Sequence, residues 1–210
     1  MAPPDEEDPP PVKHVDLALR DELLAMEQED LRVRAELAAD GSLFEGYHPQ
    51  MEAVHRRNAL RLLEIIEAHG WPGERLAGPD GAQAAWRIAQ HAIGEPEFQR
   101  QCLRWLSEAA EAGDVPAWQP AFLEDRVRVF EGRPQLYATQ FQVSDDGWPV
   151  PFPIEDPHGV DERRRAVGLE PLADQLRRAH QEEVTPPDPA TRERREREYH
   201  EWLRRVGWRP

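Results

Sequence analysis

Residues 48–72 read HPQMEAVHRRNALRLLEIIEAHGWP and predict one helix with clear signals at both ends. Pro49 suits the first helical position, while Gly70 and Pro72 suit the residues just beyond the last turn. At about 100° per residue the apolar side chains fall on one face, and that face also carries His55 and Asn58. Buried polar groups cost free energy unless they are paired or used, so this helix offers the first candidates for a functional site.

Four more helices are predicted between residues 15 and 131. Leu17, Leu24 and Leu31 recur at heptad spacing and indicate an amphipathic helix that ends at Asp40. A capping-box pattern at residues 80–83 predicts a helix that runs to about residue 93. The two remaining helices are expected to follow Glu95 and residue 116, because a proline fits the first helical turn.

The apolar period changes after Gly132, and residues 135–154 predict a small β-hairpin with a turn at residues 145–147. Two short helices are expected at residues 160–168 and 171–183. The sequence therefore predicts a mainly α, single helical domain over residues 14–183, with about five helices, the hairpin and short C-terminal helices. Residues 1–13 are predicted to be a disordered, acidic, proline-rich tail. Residues 184–210 are predicted to be a linker and a charged C-terminal helix that is dispensable for folding.

Composition excludes several classes of protein. The 210 residues carry a net charge of −15, which opposes general attraction to nucleic acid or to an anionic membrane. The N-terminus is acidic and proline-rich rather than basic and apolar, and no apolar run approaches the ~18 residues of a membrane helix. The single Cys102 cannot form an internal disulfide. We expect a cytoplasmic protein that binds neither nucleic acid nor membrane.

Three helix-borne side chains are the candidate catalytic residues: His55, His91 and Asp125. Histidine titrates near neutral pH and aspartate can orient it, so the trio suits acid–base chemistry. The same residue types bind divalent metals, although no local metal-binding signature such as His-Glu-x-x-His is present. Their order is loosely similar to that of HD-type phosphohydrolases, but the adjacent His-Asp pair is missing because Ala92 follows His91.

Other polar residues in apolar surroundings are candidates for binding a substrate. Arg126 is suited to an anionic group because its guanidinium always carries charge. The remaining candidates are His48, Asn58, Gln135, Tyr137 and Gln140. We expect His55, Asn58, His91 and Asp125 to share one pocket, with residues 135–140 forming its wall.

The stretch from about residue 23 to residue 172 resembles a family of bacterial proteins that is catalogued only as a domain of unknown function. The resemblance is carried by HP at 48–49, HRRN at 55–58, GWP at 70–72, QHA at 90–92, DR at 125–126 and GRPQLYATQ at 132–140. Members of the family usually carry glycine where this chain has Ala138. The resemblance implies that these segments belong together, and it implies no activity.

Two classes of function follow from these patterns. The first is a small enzyme of hydrolase or lyase type that acts on a small polar or anionic molecule through the His/Asp/Arg residues, with a divalent metal as an open alternative. The second is a non-catalytic binding or interaction module, in which the same residues form a buried polar network that fixes helix packing. The sequence leaves the substrate and the oligomeric state open.

Overall fold

The computed structural model describes residues 14–144, 146–180 and 188–210. These ranges contain eight α-helices and one two-stranded antiparallel sheet. The helices are α1 (Leu17–Ala39), α2 (Pro49–His69), α3 (Glu74–His91), α4 (Pro96–Glu111), α5 (Trp118–Phe130), α6 (Val160–Ala166), α7 (Leu172–Ala179) and α8 (Pro189–Val206). The strands are β1 (Phe141–Val143) and β2 (Pro149–Pro151), which form the predicted hairpin. None of the helices within these ranges has both the length and the apolar character needed to cross a bilayer.

The mainly helical class and the small hairpin are confirmed, whereas the count of about five helices is too low. The predicted N-terminal tail at residues 1–13 and most of the predicted linker, residues 184–187, lie outside the described residues. The expectation of disorder therefore stays a prediction.

The buried face of α1 is not the leucine heptad that the sequence indicated. Leu17 and Leu31 are exposed, and the face turned to the core is formed by Leu19, Leu23, Asp30, Val33 and Leu37. Their spacing of three, four and seven residues matches the period of an α-helix, whereas a strict heptad drifts around a straight helix. This face places a carboxylate, that of Asp30, inside the protein.

Helix α3 begins earlier than its capping-box pattern suggested. It starts at Glu74 and kinks at Gly78, whose φ of 71° lies in the left-handed region that favours glycine. The Asp80 carboxylate, just after the kink, accepts hydrogen bonds from Arg20 Nε of α1 at 2.8 Å and from the backbone N–H of Gly81 at 3.0 Å. The kink and this ion pair hold α3 along α1, the pair of helices with the most extensive contact.

A single main core joins residues from α1 to α5 with the C-terminal segment. Leu23, Leu62, Ile88 and Leu106 are almost fully buried in it. A smaller apolar cluster lies beside it between α1 and α2, and consists of Val33, Leu37, Met51 and Val54. Both clusters border the polar residues that converge where α1, α2 and α3 meet.

Residues 136–139 are fixed from two sides by buried charged groups. The Asp125 carboxylate accepts hydrogen bonds from the backbone N–H groups of Leu136 at 2.7 Å and Thr139 at 2.9 Å, and also from the N–H of Tyr137. The buried Arg164 guanidinium donates to the Tyr137 carbonyl at 2.6 Å. Ala138 has a φ of 54°, a conformation that glycine adopts more readily. The two charges thus define the path of the chain from α5 to the hairpin.

The C-terminal helix is part of the core, contrary to the expectation that it is dispensable. Trp202, Leu203 and Trp208 are buried in the main cluster. Trp208 Nε1 donates to the Ile93 carbonyl at 2.8 Å, and Arg209 Nε donates to the Phe130 carbonyl at 2.8 Å. The sequence suggested an appendage because arginine and glutamate dominate α8, but apolar residues at its end are enough to attach it.

We predict that Trp208→Ala lowers the free energy of unfolding by about 3–5 kcal/mol, the range for removing a buried tryptophan side chain. Arg204→Ala, at an exposed position of α8 four residues before Trp208, should change it by less than about 0.5 kcal/mol. Urea unfolding followed by tryptophan fluorescence and circular dichroism measures both. A loss below about 1 kcal/mol for Trp208→Ala would show that the segment after α8 contributes little to the fold.

A second prediction concerns the Asp125 carboxylate. Asp125→Ala should cost about 3 kcal/mol or more, because each buried N–H group left without its acceptor costs about 1–3 kcal/mol. The matched control is Glu124→Ala, which removes only a partly exposed ion pair with Arg128 at 3.3 Å and should cost less than about 1 kcal/mol. Equal effects in urea unfolding would contradict the role assigned to Asp125.

Candidate functional site

The Asp30 carboxylate of α1 is the centre of a buried polar cluster. Only 2% of the residue is exposed, and its Oδ2 lies 2.8 Å from Nδ1 of His91, the last residue of α3. Burial by itself would raise the pKa of Asp30, but the nearby imidazoles of His55 and His91 outweigh it and hold that pKa well below its ordinary value. Asp30 is therefore ionised at neutral pH.

His91 is the partner of Asp30 and stays neutral. Loss of hydration lowers the pKa of His91 below its ordinary value, although the Asp30 carboxylate acts in the opposite direction. Because a carboxylate only accepts hydrogen bonds, Nδ1 of His91 carries the proton and donates it to Asp30. The other ring nitrogen, Nε2, then has a free lone pair that can accept a proton or a hydrogen bond.

His55 of α2 is the third member of the cluster. Its Nε2 lies 3.4 Å from Asp30 Oδ2, and its Nδ1 lies 2.9 Å from the Tyr47 hydroxyl group. The rings of His55 and His91 have their centroids 5.5 Å apart. Burial raises the pKa of Tyr47, so its hydroxyl keeps its proton at neutral pH. Four polar side chains from three helices and one loop thus meet at one point.

Several polar atoms of this region are buried without a hydrogen-bond partner. They include Oδ1 of Asp30, Nε2 of His55, Nε of Arg126 and both side-chain polar atoms of Gln90. Native proteins pair most buried polar groups, because an unpaired one costs about 1–3 kcal/mol. A concentration of such atoms around two histidines and an aspartate is the pattern expected of a site that holds a ligand.

Arg126 of α5 brings positive charge to the cluster. Its guanidinium donates to the carbonyl of Gln90 at 2.5 Å. Gln90 precedes His91 in sequence, and the positive charge of Arg126 contributes to lowering the pKa of His91. Loss of hydration, with a smaller effect of Arg34, lowers the pKa of Arg126 to about 10. The guanidinium remains charged at neutral pH, and none of the carboxylates in the described ranges forms an ion pair with it. It can therefore receive an anionic group from a ligand.

A cavity of about 820 Å³ opens beside the cluster. His55 and Tyr47 line it, whereas Asp30, His91 and Arg126 are not among its lining residues. Its apolar wall includes Met51 of α2 and Trp202 of α8. Charged residues at the wall are three arginines and three glutamates, namely Arg34, Arg195, Arg205, Glu45, Glu198 and Glu201. This volume is within the range of about 300–1,000 Å³ that small-molecule sites occupy.

The structure brings together three of the residues that sequence analysis selected, namely His55, His91 and Arg126. It does not bring Asp125 into their cluster, because that carboxylate is occupied by residues 136–139. Asp125 and Arg126 are consecutive on a helix, so their side chains leave α5 about 100° apart and serve different surroundings. Asp30 holds the place beside the histidines that was expected for Asp125.

The hairpin arm does not line the cavity either, in contrast to the expected wall at residues 135–140. Gln135 is buried and donates through Nε2 to the carbonyls of Gln140 and Phe152. Tyr137 contributes its backbone N–H to Asp125, and the Gln140 side chain donates to the Thr139 hydroxyl. The contacts of these three residues stabilise the local chain path.

His48 and Asn58 have contacts that explain them without a ligand. His48 is the N-cap of α2, where its Nδ1 accepts a hydrogen bond from the Gln50 N–H at 3.2 Å, and it also reaches the cavity. Asn58 donates through Nδ2 to the Met26 carbonyl at 3.1 Å and so ties α2 to α1. Neither residue is a partner of the histidines.

Sequence reasoning missed Asp30 and Tyr47. Asp30 lies in a run of charged residues, GluAspLeuArg at 29–32, and looks like part of a solvated face. The signal that could have found it is its register with Leu19, Leu23, Val33 and Leu37, the helix positions that the structure buries. Tyr47 lies in the link between α1 and α2, and the sequence there offers no comparable signal.

Comparison with known proteins identifies the family of this chain, and it assigns no activity to that family. No curated protein and no solved structure matches the chain. The model of a family described as "Family of unknown function (DUF6624)" matches residues 17–183. The matched range includes Asp30, His55, His91 and Arg126 and leaves out α8. The chain therefore belongs to the DUF6624 family.

Proposed function

We propose that this protein is a small enzyme of hydrolase or lyase type that acts on a small polar or anionic molecule at the Asp30–His55–His91 cluster. The observation that carries the proposal is the hydrogen bond of 2.8 Å between the ionised Asp30 and the neutral His91, with His55 3.4 Å from the same oxygen. A histidine oriented by a buried carboxylate is a general base, because the carboxylate fixes the tautomer and stabilises the charge that develops.

The two histidines would have different catalytic roles. His91 would take a proton from water or from the substrate through Nε2, and Asp30 would stabilise the imidazolium that forms. His55, held by the Tyr47 hydroxyl at 2.9 Å, would donate a hydrogen bond or a proton to the leaving or developing oxygen. These roles are those that both hydrolysis and elimination require.

The substrate class is inferred from Arg126 beside His91 and from the residues of the cavity wall. Arg126, which has no carboxylate partner in the described ranges, and Arg34 at the cavity wall favour a carboxylate or phosphate group. The apolar surface provided by Met51 and Trp202 favours a short carbon skeleton next to that group. A small organic anion satisfies both features.

The alternative is a binding or interaction module in which the cluster only fixes helix packing. The paired contacts of Asn58 with Met26 and of Tyr47 with His55 are compatible with it. A purely structural network is expected to have its buried atoms paired, however, and Oδ1 of Asp30 and Nε2 of His55 are not. That difference is the reason for favouring the enzyme.

We predict that the protein, incubated with an extract of polar metabolites, consumes one compound and forms its product, as measured by untargeted mass spectrometry. His91→Ala should slow this conversion by about 10²–10⁴-fold, the usual contribution of a general base. Asp30→Asn should slow it comparably, since the amide no longer stabilises the imidazolium. His69→Ala, an exposed histidine on the same helix as His55, is the matched control and should keep the wild-type rate.

Circular dichroism and urea unfolding of each variant separate loss of catalysis from loss of fold. Equilibrium dialysis against the same extract tests the alternative. A compound that is retained by the wild type and lost by His91→Ala, but never converted, would establish a binding module. Neither conversion nor retention, or conversion at the same rate in His91→Ala, would refute the proposed site.

A further inference from the structure

We propose that Asp30, His55 and His91 bind one divalent transition-metal cation of the zinc class. The proposal rests on the proposed function in that it concerns the same cluster, and it names the cofactor of that site; in the cation-loaded protein Nδ1 of His91 would be a metal ligand, and His91 would then no longer serve as the general base. One ligand atom from each of the three residues lies within 4.8 Å of the other two, and the residues come from three different helices. Two imidazoles and one carboxylate are a ligand set that zinc and non-haem iron sites use.

The separations between these atoms fit a shared cation. Two ligands about 2.0–2.1 Å from a tetrahedral zinc ion lie about 3.3 Å apart. Asp30 Oδ2 and His55 Nε2 are separated by 3.4 Å, which already meets this requirement. Asp30 Oδ2 and His91 Nδ1, at 2.8 Å, would have to separate by about 0.5 Å as the cation replaces the Nδ1 proton.

The unpaired atoms of the cluster are the second observation. Nε2 of His55 is buried without a hydrogen-bond partner, and so is Oδ1 of Asp30. A cation would use the Nε2 lone pair and could draw on either carboxylate oxygen, which removes the cost of burying both atoms unpaired. The imidazoles also select the metal, because magnesium and calcium prefer ligand sets made of oxygen.

A metal-binding histidine normally donates a hydrogen bond through its other ring nitrogen, and the surroundings of His55 provide an acceptor. If His55 binds the cation through Nε2, its Nδ1 carries a proton and donates it to the Tyr47 hydroxyl oxygen at 2.9 Å. Such outer contacts fix the ring of a ligating histidine and strengthen metal binding by about 10–100-fold. Three protein ligands leave a position open, as catalytic zinc sites do. Arg126 nearby makes an anion the preferred occupant of that position.

The test is isothermal titration of the untagged full-length protein, stripped with a chelator, with Zn²⁺ and then with Co²⁺. We expect one cation per chain and a visible Co²⁺ absorption spectrum. Asp30→Asn, His55→Gln and His91→Gln should each weaken binding by at least about 100-fold, while Tyr47→Phe should weaken it by about 10-fold. His69→Ala should bind as the wild type does. Asp30→Asn is isosteric, and circular dichroism checks that each variant keeps its fold.

The results separate this proposal from the proposed function. Conversion of a metabolite by chelator-treated protein that binds no cation would overturn the metal site and leave the acid–base enzyme. Cation binding without conversion of any metabolite would support the metal site and overturn the proposed enzymatic activity. Absence of saturable binding to the wild type, or equal binding by wild type, His55→Gln and His91→Gln, would overturn the metal site directly.

Discussion

Burial of the Asp30 carboxylate is the constraint on which the arrangement of the first three helices depends. Moving an ion out of water costs several kcal/mol unless nearby groups replace its hydration. His91 provides that replacement from the end of α3 at 2.8 Å, with His55 of α2 at 3.4 Å from the same oxygen. The helices therefore have to meet in one register, in which three polar groups face each other inside an otherwise apolar core.

A second buried carboxylate, that of Asp125 on α5, fixes a loop rather than a meeting point of helices. Asp125 accepts the backbone N–H groups of residues 136–139, while Arg164 binds carbonyls of the same segment. The loop is thereby fixed without regular secondary structure. The two buried aspartates illustrate that a polar residue in an apolar pattern shows only that a partner exists, because Asp30 meets side chains and Asp125 meets mainly backbone.

The C-terminal helix connects the site to a region outside the family match. Trp202 of α8 packs edge-on against Tyr47, with ring centroids 5.6 Å apart, and Tyr47 holds His55. The same helix supplies part of the cavity wall through Tyr199, Trp202 and Arg205. The polar cluster thus lies in the part of the chain that the family shares, whereas one wall of the cavity lies beyond residue 183.

The amino-acid sequence by itself determined the helical class, the position of most helices, the hairpin and two of the three central residues of the site. These features depend on local signals, such as Pro49 and Gly70 at the ends of α2 and the placement of His55 on its apolar face. Only the tertiary structure decided that Asp30 joins His55 and His91, that Asp125 does not, and that Trp208 is buried. Asp30 and its partner His91 are 61 positions apart in sequence, Asp125 and Leu136 are 11 apart, and Trp208 and Ile93 are 115 apart. No local pattern shows which distant group will compensate a buried charge or cover an aromatic ring.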